Sequence, residues 1–274
     1  MPLSKSTPKR SRPIGQPTRG KTALNRLRQV DVYIALAHST SFAGQSPLVV
    51  DVGYGAQAWT AIEMWERWLP FNPQLRLLGV EIDPERVAAA RPYCQPEIID
   101  FRLGGFNLTD VLGPEKATII RAYNVLRQYE EQVVTDALDS MGQSLALGGI
   151  LIEGTSNPSG NIVAFDIYEK MADSTLAHRE LVLGTNFRQW TTPVHFQAIL
   201  PKRLIHHMQD EAPARFFEAW QQGLRLARGM GQTGQRQQWQ LAAQFLRERF
   251  DYPIDLRRRI LRRGYMGIRT SLTP

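Results

Sequence analysis

Cysteine is almost absent from this 274-residue chain: Cys94 stands alone, so no intramolecular disulfide can brace the fold. Long apolar runs are missing as well. No stretch of eighteen apolar residues exists to cross a bilayer, and the polar, basic start lacks the apolar centre of a secretory signal. A cytoplasmic protein with no membrane partner is expected. His206-His207 has no further ligand at metal-binding spacing, so no metal site is expected either. Acids are missing from the first thirty residues, which hold eight Lys or Arg. Residues 251 to 274 carry six arginines against Asp251 and Asp255, while acids outnumber bases by five in the stretch between. The formal charge of +7 therefore sits at the two ends, a distribution suited to a polyanion such as RNA, or to a solvated tail. Ser, Thr, Pro and Gly through residues 4 to 22 favour a flexible tail there.

Apolar residues make up 43% of the chain, ample for a large core. The economical division is a basic, flexible tail over 1–24, a main domain over 25–205 and a helical extension over 206–274. Two segments dominate the main domain. Leu48-Val49-Val50-Asp51-Val52 is an apolar run ending in Gly53-Tyr54-Gly55, and Leu77-Leu78-Gly79-Val80-Glu81 follows after one helix-sized segment. Each reads as a buried parallel strand. Two glycines let the backbone turn tightly and approach a ligand, and a carboxylate ending the next strand can accept both hydroxyls of a ribose. Gly53-x-Gly55-x-x-Ala58 also satisfies a relaxed dinucleotide fingerprint. Against that reading, Asp51 would set a negative charge near a pyrophosphate, and Glu81 lies 28 residues past Gly53 instead of roughly 20. A plainer alternative has Asp51 and Glu81 capping backbone amides at strand ends. Asp83 before Pro84 reads as a helix N-cap.

With the acid two positions before the first glycine, the chain resembles the class I, seven-strand S-adenosylmethionine-dependent methyltransferases, including uncharacterised bacterial members that share Thr18-Arg19-Gly20 and Asn25-Arg26-Leu27-Arg28. The resemblance implies S-adenosylmethionine as cofactor. It places Asp51 toward the methionine end, Gly53, Tyr54 and Gly55 beside the ribose and methionine part, Glu81 on the ribose, and Ile82 against the adenine. Gln57 stands where the family often has a third glycine. Gly104-Gly105-Phe106-Asn107 stands where many relatives place an acid against the adenine amino group, so Gly105 and Phe106 are candidate cofactor contacts.

The expected fold is α/β: a doubly wound, mostly parallel seven-stranded sheet with helices on both faces. Helices are expected over 26–38, capped by Asn25, then over 58–69, 84–91 and 130–145; strands over 48–52, 76–81, 97–102, 117–121 and 149–153, with Gly148-Gly149 as the turn before the last. Strands near 180–185 and 194–200 would complete the sheet, the family's last strand being antiparallel. Beyond residue 211, Phe216, Phe217, Trp220 and Leu224, then Trp239, Ala242, Ala243 and Leu246, follow a helical period.

Ligands bind at the carboxyl ends of such strands, which puts Ile119 to Tyr129 beside the transferred methyl. This stretch is similar to the matching piece of chemotaxis receptor methyltransferases, a likeness of fold and not of substrate. Methyl transfer is an in-line displacement that gains most from positioning the acceptor. Asn124 could orient it, Arg121 could hold a carboxylate or phosphate, and Tyr123 or Tyr129 could line the pocket; equally, Asn124 could cap the loop and the arginines pair with Glu130 or Glu131. No Asn/Asp-Pro-Pro-aromatic signature of amino methylation follows the fourth strand, and Cys94 is misplaced for a C5-cytosine nucleophile. Two functions stand: a methyltransferase acting on RNA, another polyanion or a small molecule; and a catalytically silent module that binds nucleic acid or a protein partner.

Overall fold

The computed structural model describes residues 12–19, 21–270 and 272. Of the residues expected as a tail, 1–11 and 20 lie outside the described residues. The α-helices are α1 (Arg28–Ala37), α2 (Trp59–Trp68), α3 (Pro84–Ala90), α4 (Thr109–Leu112), α5 (Glu131–Gly142), α6 (Pro193–Gln197), α7 (Lys202–Ile205), α8 (Glu211–Gly229), α9 (Gln235–Glu248) and α10 (Arg258–Leu261). The strands are β1 (Leu48–Val52), β2 (Arg76–Glu81), β3 (Ile99–Leu103), β4 (Ala117–Tyr123), β5 (Leu145–Ser156), β6 (Ile162–Lys170), β7 (Leu176–Thr185) and β8 (Tyr265–Ile268). They form one sheet in the order β3-β2-β1-β4-β5-β6-β7-β8.

The first five strands are parallel, and the order reverses between β1 and β4. That reversal is the switch point of a doubly wound sheet, where loops on the two sides diverge and leave a crevice. Alternate residues of the buried strands face opposite layers. Val49, Leu77, Ile119 and Ile152 pack with Tyr33, Ile34, Met64 and Trp68 of α1 and α2. Val50, Val80, Ile120 and Leu151 pack with Leu112, Val134, Leu138 and Met141 of α4 and α5. Trp65 donates its indole N–H to Leu75 O, and Trp68 is fully buried, as expected of core tryptophans.

The sheet departs from expectation on its far side. Eight strands replace seven, and β6, β7 and β8 continue from β5 as an antiparallel meander. The segment expected as a strand over 194–200 contains α6 instead. Pro193 starts that helix, and Thr192 and His195 cap it reciprocally, so local capping chemistry overrides the apolar run. β6 went unforeseen; the Asn157-Pro158-Ser159-Gly160 turn makes a direct hairpin, with Gly160 at φ +67°. Gly148-Gly149 lies inside β5 where the pairing with β4 shifts register, and does not form a turn before the strand. Asn25 does not cap α1. It adopts φ +61° and donates its N–H to the Glu63 carboxylate, while Leu27 holds the cap position. The helical extension is not separate from the sheet: Phe216, Trp220, Trp239 and Leu246 of α8 and α9 bury against Leu181, Leu183, Met266 and Ile268 of β7 and β8.

Candidate active site

Two hollows open at the carboxyl ends of the parallel strands and meet at Gly53 and Thr18. The smaller is a cleft among the ends of β1, β2 and β3. Gly53 and Gly55 turn away from β1 at φ +71° and +89°; a Cβ at Gly53 would lie 2.7 Å from Val125 Cγ2, so both positions need glycine. Glu81, 1% exposed, accepts from the Gly55 N–H at 3.0 Å, the Ile82 N–H at 2.9 Å and the Asp83 N–H at 3.3 Å, with Arg86 3.6 Å away. The strand-end carboxylate thus does what the plainer reading required and still borders the cleft. Ile82, Gly105 and Phe106 border it too. Asp83 caps α3 by accepting from the Glu85 N–H.

Part of the chain's own amino-terminal segment fills this cleft, in place of the flexible tail expected. The Phe106 N–H donates to the Ile14 carbonyl at 2.8 Å, and the Ile14 N–H donates to Asn107 Oδ1 at 2.9 Å. A Cβ on Gly15 would touch Phe106, Tyr129 and Ile82 at 3.4 to 3.5 Å, so Gly15 sits among those three side chains. The Gln16 N–H donates to the Tyr129 hydroxyl at 2.5 Å, and Arg86 donates to Thr18 O at 2.9 Å. A Cβ at Gly105 would collide with the Ile14 carbonyl, so glycine there admits the strap.

The larger hollow, about 1120 Å³, lies on the β4–β5 side of the switch point. Asp51, Tyr54, Tyr123 and Asn124 line it, together with residues that the sequence did not mark as site candidates: Arg19, Lys21, Arg26, Thr155, Ser156 and His195. Arg121 is not among them, which corrects its expected role. Its guanidinium is fully buried beneath the cavity, donating to both Asp51 oxygens at 2.8 Å, to Asp31 Oδ1 at 2.5 Å and to Thr60 O at 2.9 Å. Burial alone would lower its pKa; Asp51 and Asp31 reverse that and raise it. It cannot reach an acceptor. Asp51, 2% exposed, has both oxygens committed to Arg121, and the partner expected for it at a ligand's methionine end is a guanidinium of its own protein. Asp31 carries a second ion pair to Arg67 at 2.7 Å, and burial pushes its pKa up to about 6 against the pull of both arginines.

Tyr123 donates its hydroxyl to Thr155 O at 2.9 Å, and burial lifts its pKa well above the usual phenol value, so it serves as a wall and not as a base. Asn124 holds φ +60°; its Oδ1 accepts from the Ser156 N–H at 2.9 Å and its amide donates to Ser156 Oγ at 3.3 Å. Its side chain ties the β4 and β5 ends together and faces the cavity from there. Among the described residues no cluster could hold a metal; His207 instead pairs with Asp210 and Glu131.

No family model and no curated protein matches the chain. Solved structures do overlap with it. The N-methyltransferase NodS from Bradyrhizobium japonicum WM9 is 21% identical over 48% of this chain and 69% of its own, with a TM-score of 0.34. Magnesium protoporphyrin IX methyltransferase from Synechocystis PCC 6803 is 14% identical over 47% and 54%, TM-score 0.36. A TehB-like methyltransferase from Corynebacterium glutamicum is 18% identical over 52% and 67%, TM-score 0.36. The chain spans 54% to 69% of the length of these three structures. Overlap that partial leaves activity to be read from the site itself.

Proposed function

We propose that this protein is an S-adenosylmethionine-dependent methyltransferase whose acceptor is an anion held in the larger cavity. The cofactor half of the reading is carried by the cleft: the groups bound by the Ile14 peptide are a backbone donor and a side-chain acceptor, side by side, the pattern that pairs with the edge of an adenine. Beside that pair lie an apolar slot between Ile82 and Phe106, a glycine turn at positive φ, and the Glu81 carboxylate for a ribose. The residues therefore fit a nucleoside. Bound there, the cofactor supplies an electrophilic methyl group on a sulfonium.

What the chain itself contributes is placement. Gly53 borders both hollows, so a group seated along the cleft would reach the cavity at the glycine turn. Arg19, Lys21, Arg26 and Arg127 line that cavity, whereas its lone acid, Asp51, is neutralised by Arg121. Burial lowers the Arg26 pKa, a penalty that an anion would offset. Arg26 Nε, Thr22 Oγ1 and Thr155 Oγ1 are buried polar atoms without a partner, which a polar acceptor would satisfy. A phosphate- or carboxylate-bearing acceptor, RNA included, suits that lining. None of the arginines at 257, 258, 259, 262, 263 and 269 lines the cavity, so an RNA acceptor would meet the carboxyl-terminal charge elsewhere.

Calorimetric titration with S-adenosylhomocysteine tests the cofactor half. Glu81→Ala removes the ribose anchor and the acceptor of the Gly55 amide, and should weaken binding on the order of 100-fold. Equal affinity in wild type and variant would defeat this placement. The second reading, a catalytically silent module, draws on the occupied cleft and the committed Asp51. Transfer of a radiolabelled methyl group to fractionated cell extract would end it.

A further inference from the structure

We infer that the segment Ile14–Thr18 is a competitive plug: its backbone occupies the purine subsite of the cleft, so that nucleoside entry requires the strap to leave. This rests on the nucleoside reading above and goes beyond it, because nothing in that reading demands that the chain guard its own site.

The Ile14 peptide unit presents an N–H and a carbonyl, and the cleft answers with Asn107 Oδ1 at 2.9 Å and the Phe106 N–H at 2.8 Å. An adenine edge presents the same alternation of donor and acceptor. Both cannot bind, since the Phe106 amide has one hydrogen to give and the strap's backbone already takes it. Gly15 then lies where a ring would sit, an added Cβ being 3.4 to 3.5 Å from Phe106, Tyr129 and Ile82, and what remains of the cleft is about 20 Å³, close to the room one water needs. Further contacts fasten the strap, among them Gln16 with Tyr129 in both directions and Arg86 with Thr18 O and Thr18 Oγ1. The contacts are nearly all backbone. The Ile14 side chain is 57% exposed, so the strap buries little apolar surface and is held by hydrogen bonds that a ligand can replace one for one. Such a plug lowers apparent affinity by the fraction of molecules in which it is undocked, and a strap docked nine-tenths of the time costs about tenfold.

Two full-length variants release the strap without touching the cleft wall. Gly15→Val cannot keep φ +136° beside Phe106, and Ile14→Pro removes the N–H that Asn107 accepts. In ligand-free wild type, hydrogen exchange at the amides of residues 14 and 16 should be slowed, and S-adenosylhomocysteine or adenosine should speed it. Both variants should bind either probe about tenfold more tightly than wild type. Equal affinity in all three proteins, or slower exchange of the strap on adding a probe, would overturn the plug; the latter result would make it a lid. If the released variants bind neither probe, the nucleoside reading falls and the plug with it.

Discussion

Replacing Arg121 with Met is expected to cost about 3–5 kcal/mol of folding stability, because it strands the buried Asp51 carboxylate and leaves Asp31 with Arg67 alone. Asp51 and Asp31 are 2% and 1% exposed, and Arg121 donates to both. The guanidinium joins β4 to β1 through Asp51, to α1 through Asp31 and to α2 through Thr60 O. Losing one partner of a buried ionic set leaves a charge with neither water nor counterion; losing all of them is milder. The combined variant Arg121→Met, Asp51→Asn, Asp31→Asn should therefore recover part of the loss. The sign of the pH dependence follows from the same charges. Without the guanidinium the folded-state pKa of Asp31 loses a cause that lowers it and rises, so lowering the pH discharges that acid and the deficit narrows. Urea unfolding at pH 5 and pH 8 measures this, and a deficit below about 1 kcal/mol at pH 8 would show that the arginine is not the lock described.

The second large effect concerns Glu153. It stands opposite Asp166 across β5 and β6, and Arg203 and His178 attend to Asp166. Glu153 Oε1 is buried without a partner. Burial, and then the neighbouring Asp166, push its pKa up to about 8, with Arg203 pulling the other way. Between the ordinary value of 4.5 and about 8 the folded protein keeps a proton that the unfolded chain has released. Stability is therefore lost as pH rises through that window. The loss should approach about 5 kcal/mol by pH 9. Glu153→Gln keeps the site neutral throughout, so the difference between the variant and wild type isolates this group from others that titrate nearby, Asp31 among them. Thermal unfolding of the two proteins at pH 5 and pH 9 checks it. Parallel pH profiles would show that the carboxyl is ionised and hydrated in the native state.

Much of the first half of the fold was legible, for a physical reason. β1, β2 and β4 are buried on both faces and read as largely apolar runs, interrupted in β1 by Asp51 and in β4 by Thr118 and Arg121, and α2, α5, α8 and α9 each carry a clear apolar stripe. That Glu81 and the glycine turn lie together was legible because their spacing expresses a backbone requirement, and the two meet through the Gly55 N–H. The far edge of the sheet was harder. β6 carries Asp166 in its middle, a residue that breaks the apolar pattern and makes sense only beside Arg203, 37 positions away. Arg121 was misassigned for the same kind of reason: its two acids lie 70 and 90 residues distant, and no periodicity reports a buried ion pair. The strap was read as a loose tail from its Pro, Gly and Ser content, because a segment held by backbone hydrogen bonds leaves no side-chain signature.

The tie between β8 and α1 has a bearing on how the protein is made. Tyr265 reaches back 236 positions to donate its hydroxyl to Gln29 O, its ring meets Tyr33 edge-on at 5.3 Å, and β8 extends the sheet beyond β7. A nascent chain emerging from the ribosome has α1 in hand long before its clasp. Until β8 clears the exit tunnel, that early helix and the open edge of β7 must wait incomplete.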